Sequence, residues 1–278
     1  MSSMADDRAL FSLSLPAELA AVDPSLLALQ RCLQDSLLKQ QLSLVFQPIF
    51  DIHDLRLVSA EALLRWRHPE LGDVSPARFI PLAERSDLIL EIGRHVLSSA
   101  AAQQAAWLAQ GLAPVPVAVN VSGAELKGDD FAPQVQRVLT QHRIPGRLIR
   151  VEVTEHGLIS DFERVTANLR AAGELGISFS LDDFGTGYSS FRYLRHLPIR
   201  ALKIDREFVA GVHDPRDKRI VRAMVALAHS LKLKVVAEGV ETEAELSMLR
   251  RLRCDYVQGY LTGRPMPADE FAKLLPQA

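Results

Sequence analysis

Cysteine is scarce in this chain, with two residues among 278, Cys32 and Cys254. They lie far apart, and neither belongs to a Cys-x-x-Cys pair. Disulfide-stapled domains and structural zinc sites both depend on paired cysteines, so neither is expected. The sequence therefore predicts two free thiols, which is typical of a protein in the reducing cytoplasm.

Positive charge is not in excess either. Lysine and arginine number 32 against 34 aspartate and glutamate residues, and the formal net charge is −2. A protein that binds the backbone of DNA or RNA needs a basic surface, so a nucleic-acid polymer is not an expected partner. A small phosphate ligand stays compatible with this balance, because a few local basic residues suffice to bind it.

Long apolar runs are also missing. No stretch reaches the roughly 18 apolar residues of a membrane-spanning helix, and serine and glutamine interrupt the alanine-rich stretch 97–108. Asp6, Asp7 and Glu18 occupy the region where a secretion signal would have basic and then apolar residues. We therefore predict a cytoplasmic protein without a membrane segment.

The usual marks of a covalent nucleophile are absent as well. The chain has no Gly-x-Ser-x-Gly motif, and neither cysteine lies at the end of a predicted strand. Histidines such as His68, His156 and His229 show no metal-ligand spacing and are interpreted as loop or surface residues.

What the chain does contain is a regular alternation of strands and helices. Eight apolar segments are predicted to be strands, and most of them follow a helical segment. The pattern predicts an α/β fold of the TIM-like (β/α)8 barrel type, with an open doubly wound sheet as the alternative. Because the first connection is short, we expect an irregular, antiparallel first strand pair. The predicted strands are residues 44–50, 57–66, 115–121, 148–153, 177–181, 201–204, 234–237 and 256–261.

The same pattern divides the chain into three parts. Residues 1–23 are polar and aperiodic and are predicted to form a flexible tail. Residues 24–41 have leucines at helical spacing and are predicted to form a helix that packs on the barrel of residues 42–278. The other predicted helices are residues 76–84, 88–110, 131–142, 161–175, 189–196, 215–231 and 242–252, with a last one after Pro267.

One stretch concentrates negative charge at the end of a predicted strand. Asp182 and Asp183 follow an apolar segment, and Gly185 and Gly187 come directly afterwards. Adjacent carboxylates repel each other unless a cation lies between them, and two close glycines indicate a loop that bends sharply or moves. The stretch is typical of a metal site beneath a mobile loop. Taken alone, it is equally compatible with a solvated turn.

Polar residues recur at the ends of the other predicted strands. In a barrel these ends meet at one face, which is where the active sites of this fold lie. About five carboxylates meeting there would raise one another's pKa unless cations neutralised them. Oxygen ligands favour Mg²⁺ or Mn²⁺ over zinc, and two such ions suit an in-line displacement at phosphorus. The polar residues concerned are Glu61 and Arg65, which share a strand face with Leu63, and Asn120, Glu152, Thr154, Glu155, Asp182, Asp183, Lys203, Asp205, Glu238, Glu241 and Gln258.

Lys203 stands out because it is a cation among acids. At such a place an ammonium group orients an attacking water or stabilises developing negative charge. A purely structural ion pair is the alternative interpretation of this lysine.

Eight motifs in family order give the chain a resemblance to a known family. The triplet Glu61-Ala62-Leu63 resembles the signature of EAL-domain cyclic di-GMP phosphodiesterases, and the likeness extends from about residue 44 to residue 267. The other motifs are Gln47-Pro48-Ile49, Asn120-Val121-Ser122, Glu152-Val153-Thr154-Glu155, Asp182-Asp183-Phe184-Gly185-Thr186-Gly187-Tyr188-Ser189-Ser190, Lys203-Ile204-Asp205, Ala237-Glu238-Gly239-Val240-Glu241, and Gln258-Gly259-Tyr260 followed by Arg264-Pro265.

The resemblance implies that residues 42–278 form an EAL-type catalytic barrel that hydrolyses cyclic di-GMP to linear pGpG with a water activated by two ions, Mg²⁺ or Mn²⁺. It implies metal ligands at Glu61, Asn120, Glu152 and Asp182, with Asp182 bridging to a second ion held by Asp183 and Glu238. It implies catalytic roles for Lys203, Gln258, Glu61 and Glu238, and substrate contacts from Gln47, Leu64, Arg65, Asp205 and Glu241. It further implies that Glu155 anchors the loop after Asp183, and that this loop helps to form a homodimer.

Two alternatives from other classes stay open. The first is a non-catalytic cyclic di-GMP receptor on the same fold, because a fold does not dictate a function. The second interprets the glycines from Gly185 onward as a dinucleotide fingerprint with Asp205 as the ribose-binding acid. Ser190 replaces the third glycine of that fingerprint, and Asp182 with Asp183 would repel a pyrophosphate, so this alternative is disfavoured.

Overall fold

The computed structural model of the protein describes residues 24–155, 157, 161–185 and 194–278. The predicted tail, residues 1–23, lies outside the described residues. So do residues 186–190 of the predicted loop and most of the predicted helix 189–196.

Eight strands close into a barrel, which confirms the predicted fold. The structure describes nine strands, and all but β3 belong to the barrel: β1 Leu42–Asp51, β2 Leu57–His68, β3 Gly72–Val74, β4 Val117–Asn120, β5 Ile149–Thr154, β6 Ser178–Phe184, β7 Ile199–Ile204, β8 Lys234–Ala237 and β9 Tyr256–Val257. Around the barrel the order is β1, β2, β4 and then β5 through β9, with β9 pairing back to β1. β1 is antiparallel to β2 and β9, as expected for an irregular first strand, and the other barrel pairs are parallel.

Three details of the strand prediction were wrong. The short strand β3 was not predicted, and it pairs antiparallel with the end of β2 outside the barrel. The last strand was predicted to reach residue 261 but ends at Val257, because turns follow it, with the Gly263 amide donating to the Gly259 carbonyl at 3.0 Å. Asp205 was placed on one strand face with Lys203, but it follows β7 and caps the next helix.

Helices surround the barrel and match most of the predicted segments. Two five-residue helices were not predicted, because a segment of that length is too short to show an apolar period. They are Gly123–Lys127 and Arg206–Ala210. The other helices are Pro24–Leu38, Pro76–Glu84, Leu88–Ala109, Phe131–His142, Phe162–Glu174, Pro215–Ser230, Glu243–Arg251 and Ala268–Phe271. None of the helices described combines the length and the apolar character that a membrane span requires.

The N-terminal helix packs on the domain through its leucine stripe. Leu29 and Leu33 are buried, and the Trp66 indole donates to Ser36 Oγ at 2.9 Å. Trp66 in turn meets Phe79 edge to face, with ring centroids 5.5 Å apart. This helix therefore covers the outer surface of β2 behind the strand face that carries Glu61.

Alternation along β1 and β2 decides which side chains enter the barrel. Successive residues of a strand point to opposite faces, so Phe46 packs outward while Gln47 points inward. Phe46 is buried against Trp107, with ring centroids 5.1 Å apart. Gln47 pairs across the hairpin with Glu61 in the strand register, so both polar side chains enter the barrel at the same level. The packing of Phe46 outside the barrel thus fixes the position of Gln47 and Glu61 along the barrel axis.

Candidate active site

The candidate site is built around the buried ammonium group of Lys203. Its Nζ lies 2.6 Å from Glu152 Oε2, 2.6 Å from Glu238 Oε1, 3.2 Å from Glu61 Oε2 and 3.3 Å from Asp182 Oδ1. The five side chains come from β7, β5, β2 and β6 and from the residue directly after β8. Glu61 lies in the middle of β2 opposite Ala118 of β4, and its side chain reaches Asn120 at the end of β4.

Burial and crowding set the ionisation of this cluster. Burial alone would lower the pKa of Lys203, but the surrounding carboxylates outweigh burial and hold this pKa well above its ordinary value. Burial raises the pKa of Glu152 well above its usual range despite the charge of Lys203, and neighbouring acids add to the effect. Burial likewise raises the pKa of Glu238 to about 8. The ammonium therefore stays charged, while protons or metal ions must balance the excess of acids.

Glu61 differs from the other acids because polar donors surround it. Burial raises its pKa, but the charge of Lys203 and hydrogen bonds from Gln258, Asn120 and Lys203 outweigh burial, so its pKa is lowered. Asn120 Nδ2 donates to Glu61 Oε1 at 2.9 Å, and Gln258 Nε2 donates to Glu61 Oε2 at 2.7 Å. Gln258 Nε2 also lies 3.1 Å from Gln47 Oε1, which joins β1 to the same network.

A backbone irregularity lets two adjacent aspartates face one site. In a regular strand Asp182 and Asp183 would point to opposite faces. Asp183 has a φ of 52°, and the pairing of β6 with β7 shifts register between Leu181 and Phe184. A left-handed conformation is costly for most residues but is tolerated by aspartate, and it is common at functional sites. The result brings one oxygen each of Asp182, Asp183 and Glu238 within 4.8 Å of one another.

The acids form two groups that share Asp182. One group is Asp182, Asp183 and Glu238, and the other is Glu61, Glu152 and Asp182, again with ligand oxygens within 4.8 Å of one another. Every donor is a carboxylate oxygen, a set that fits hard divalent cations rather than zinc. The arrangement thus places two adjoining groups of candidate metal ligands around one shared carboxylate, that of Asp182.

A cavity of about 580 Å³ extends outward from the two aspartates. Leu64 and Arg65, both expected to contact substrate, line it together with Asn120. Arg65 Nη1 donates to the Leu64 carbonyl at 2.9 Å, which fixes the guanidinium at the cavity wall. This volume lies in the range of small-molecule sites.

The remaining predicted residues lie around the rim. Asp205 accepts a hydrogen bond from the Glu207 amide at 2.8 Å, and its charge contributes to a raised pKa of Asp183, which results mainly from burial. Glu241 is exposed beyond β8. Glu155 is buried, and its Oε1 lies 3.5 Å from the amide of Gly185, the second residue after Asp183.

Close packing explains why the position after Phe184 is a glycine. Gly185 has a φ of 101°, a conformation that glycine adopts readily. A Cβ added there would lie 2.4 Å from the Met224 methyl and 3.0 Å from a ring carbon of Phe208. The start of the loop is therefore held between Glu155 on one side and Phe208 with Met224 on the other.

Sequence patterns did not identify the charged cavity residues Glu84, Lys127 and Glu125. Glu125 lines the cavity together with Gly93 of the helix Leu88–Ala109. For Glu125 a signal was available, because Ser122-x-x-Glu125 directly after the strand-end Asn120 has the spacing of a helix capping box. Gly93 could not be identified in this way, since only the packing of its helix brings it to the cavity.

The fold and the site together define a TIM-type barrel with a candidate metal centre at its mouth. Comparison with known proteins agrees: the family model described as the EAL domain matches residues 30–265. The chain belongs to the EAL domain family.

Two curated relatives come from Pseudomonas aeruginosa. The chain is 43% identical to the bifunctional diguanylate cyclase/cyclic di-GMP phosphodiesterase MucR over 239 residues, which is 86% of this chain and 35% of MucR. It is 41% identical to the cyclic di-GMP phosphodiesterase NbdA over 242 residues, or 87% of this chain and 31% of NbdA. The chain thus spans about a third of the length of these relatives.

A solved structure agrees in both fold and extent. A structure described as the PaMucR phosphodiesterase in complex with c-di-GMP superimposes with a TM-score of 0.84 at 42% identity. The match covers 88% of this chain and 99% of that one. The barrel of this chain therefore corresponds to nearly the whole chain of that solved structure.

Proposed function

We propose that this chain is a metal-dependent phosphodiesterase that hydrolyses cyclic di-GMP to linear pGpG. The observation that carries the proposal is that two clusters of acidic residues share Asp182 at the base of the cavity. Relatives named as cyclic di-GMP phosphodiesterases support the substrate class. When bound, two divalent cations, Mg²⁺ or Mn²⁺, would supply Lewis acidity and an activated water.

Charge balance is consistent with two ions. When ionised, the five acids Glu61, Glu152, Asp182, Asp183 and Glu238 place five negative charges around the single positive charge of Lys203. The remaining four negative charges match the positive charge of two divalent cations. With a single ion, protons would have to balance the two remaining negative charges, and burial raises the pKa of both Glu152 and Glu238 in that direction.

The residues of the site would take three roles: metal binding, positioning of the water and contact with the substrate. Glu61, Asn120, Glu152 and Asp182 would hold one ion, and Asp182, Asp183 and Glu238 the other. Lys203 and Gln258 would hold the attacking water in place, because both donate to the same oxygen, Glu61 Oε2, and so converge on one point of the site. Arg65 would neutralise a phosphate, and Gln47, Leu64, Asp205 and Glu241 would contact the rest of the dinucleotide.

Turnover of cyclic di-GMP in Mg²⁺ or Mn²⁺, with pGpG measured by chromatography, tests the proposal directly. We expect multiple turnovers that a chelator abolishes. Tight binding of cyclic di-GMP without pGpG formation would instead identify the chain as a receptor.

Replacing Glu155 with glutamine is expected to lower kcat about tenfold while changing Mn²⁺ affinity far less than a ligand substitution does. The reason is that Glu155 contacts the Gly185 amide and not the four acids around Lys203. Parallel measurement of kcat and of Mn²⁺ binding by calorimetry checks this. If Mn²⁺ affinity fell as far as in a Glu61 variant, the assignment of Glu155 as loop anchor would be wrong.

The domain limits, the homodimer and the cytoplasmic location stay proposals. They rest on the pattern of the sequence and on the family resemblance. The activity assay repeated over a range of protein concentrations, together with the mass in solution, tests the dimer: a specific activity that rises with concentration is the expected result.

A further inference from the structure

One buried polar atom of the site has no partner among the described residues. The side chain of Gln258 is buried, and its carbonyl oxygen Oε1 meets no hydrogen-bond donor in the part of the chain that the structure describes. Its nitrogen Nε2, by contrast, has two acceptors, Glu61 Oε2 at 2.7 Å and Gln47 Oε1 at 3.1 Å. A buried acceptor without a donor is unfavourable, so Oε1 is expected to bind a group that enters the site.

The two acceptors determine which way the Gln258 amide faces. The Glu61 carboxylate lies beside the ammonium of Lys203, and an ionised carboxylate only accepts hydrogen bonds. Gln47 Oε1 is a carbonyl oxygen and likewise only accepts. Both protons of Gln258 Nε2 are therefore engaged, and a reversed amide would set its oxygen against two other acceptors. The polar atom that Gln258 offers to a ligand is thus its oxygen.

The orientation of Gln47 is dictated in turn by the backbone. Gln47 Nε2 donates to the Gly263 carbonyl at 3.0 Å. Because a backbone carbonyl only accepts, the nitrogen of Gln47 must face Gly263 and its oxygen must face Gln258. Reversing either amide would bring two acceptors together. The direction of these hydrogen bonds is therefore set from Gly263 through Gln47 to Gln258.

Packing on both sides of Gln47 holds the Gly263 carbonyl in place. A Cβ added to Gly263 would lie 2.5 Å from Cγ of Pro48, so the backbone passes close against the residue after Gln47. Met266 exchanges two backbone hydrogen bonds with Phe46, the residue before Gln47, at 2.8 and 3.0 Å. The segment that follows β9 is thus fixed to β1 at this level.

We propose that Gln47 is a positioning residue that holds the Gln258 amide so that Gln258 Oε1 accepts a hydrogen bond from the attacking water. This inference rests on the proposed function. Gln258 and Lys203 both donate to Glu61 Oε2, so the free acceptor belongs to the side chain next to the ammonium. A water that accepts from Lys203 and donates to Gln258 Oε1 keeps a lone pair for attack on phosphorus. Both polar atoms of Gln47 face protein partners, so its main effect on the reaction passes through Gln258 and not through the dinucleotide.

The kinetic test is Gln47→Met, which keeps the length of the side chain and removes both hydrogen bonds. We expect kcat for cyclic di-GMP in saturating Mn²⁺ to fall about tenfold, as for the loss of neutral hydrogen bonds, while KM changes less than about twofold. Mn²⁺ affinity, measured by calorimetry, should also change less than about twofold, because Gln47 contacts Gln258 and Gly263 and is not one of the acids.

A spectroscopic measurement on the metal-free protein tests the positioning without turnover. In protein labelled with ¹⁵N-glutamine, the side-chain signals of Gln258 are those lost in Gln258→Glu. Both of its amide protons are hydrogen-bonded in the wild type, and in Gln47→Met one of them should exchange with solvent at least about tenfold faster. Gln104 is the internal control, because its Nε2 donates to the Val115 and Leu148 carbonyls, at 2.9 and 2.8 Å, at the opposite end of the barrel.

A second variant leaves Gln47 intact and moves its partner. In Gly263→Ala the added methyl would displace the backbone from Pro48, so kcat and the exchange of the Gln258 protons should change in the same direction as in Gln47→Met. Gly173→Ala is the matched control, because a Cβ added there meets nothing closer than 3.7 Å. Melting temperatures verify that each variant folds.

The outcomes separate this inference from the proposed function. If the Gln258 protons exchange as slowly in Gln47→Met as in the wild type, the positioning role is overturned, whatever the turnover. A KM raised about tenfold with kcat unchanged would make Gln47 a substrate contact, which overturns this inference and leaves the phosphodiesterase intact. A wild type without turnover overturns the proposed function and, with it, the role of Gln258 Oε1 toward water.

Discussion

Replacing Glu61 with alanine is expected to lower kcat for cyclic di-GMP by at least about a thousandfold, because metal catalysis contributes several kcal/mol and each 1.4 kcal/mol is a factor of ten. Glu61 supplies an oxygen to one of the two acidic groups and accepts hydrogen bonds from Asn120, Gln258 and Lys203. Under the proposed function, its removal takes a ligand from one of the two ions and releases Lys203 and Gln258, which are proposed to hold the water. Steady-state kinetics with saturating Mn²⁺ measures the loss.

The fold should tolerate this substitution. Lys203 keeps three other carboxylate partners, and removing one acid relieves part of the repulsion within the cluster. Glu174→Ala is a suitable control, because it removes the same side chain from the exposed end of the helix Phe162–Glu174. A Glu61 variant that retained near-wild-type kcat and Mn²⁺ affinity would falsify the metal assignment.

The fold was predictable because its signals are local. Strand and helix periods differ, and the short link between the first two strands indicated that they are antiparallel, as the pairing of Gln47 with Glu61 confirms. β3 was missed because three residues carry no period. The extent of β9 was missed because the apolar residues after Val257 belong to turns whose hydrogen bonds are made to residues distant in sequence, such as Leu261 to Val240.

The site was predictable only in part. Strand ends of a barrel converge, so the polar residues at those ends could be assigned to one face before any coordinates. Three features could not. The sequence does not show that Lys203 binds four acids at once, that Asp183 adopts a positive φ, or that Gly93 makes room for Glu125. Each depends on contacts between segments far apart in the chain, whereas spacing within one segment reports only its own periodicity.

These features share a physical origin. Asp182 and Asp183 can serve a single site only because the backbone deviates from regular strand geometry between them. The deviation occurs directly before Gly185, which is held by Glu155 and packed against Phe208. A shift of the loop start would therefore change the aim of Asp183 before it changed Asp182. The proposed coupling between the loop and metal binding would therefore act through Gly185 and the backbone at Asp183. For this reason the Glu155 and Glu61 variants are compared separately.

Replacing Lys203 with methionine is expected to destabilise the metal-free protein strongly. Removing one partner of a buried ion pair costs about 3–5 kcal/mol, and about 2–4 °C of melting temperature follows each kcal/mol in a protein of this size. We therefore expect a fall of about 10 °C in the presence of a chelator. Mg²⁺ or Mn²⁺ should recover much of it, because cations bound to the native state replace the lost charge. Activity should stay at least about a hundredfold lower, since the ion would not replace Lys203 as the donor proposed to hold the water.

The stability difference between the Lys203 variant and the wild type is also expected to depend on pH. Without the ammonium, the folded variant holds more protons on Glu152 and Glu238 than the wild type, whose pKa for Glu238 is already raised to about 8. A carboxyl group whose pKa is higher in the folded protein than in the unfolded one contributes stability at low pH. That contribution is lost as pH rises from the unfolded pKa through the folded pKa. The difference between the two proteins should therefore grow from pH 5 to pH 8 (both values approximate) and shrink in acid.

The matched control is Lys234→Met. Lys234 Nζ also lies 2.6 Å from a carboxylate, that of Asp255, but its side chain is 58% exposed, whereas that of Lys203 is 1% exposed. Exposed ion pairs contribute about 0–1 kcal/mol, so the melting temperature of this variant should change by a few degrees at most, with or without metal. Equal losses in the two variants would show that the four carboxylates around Lys203 do not depend on its charge. Differential scanning calorimetry across pH, with and without Mn²⁺, measures the melting temperatures of the wild type and of both lysine variants.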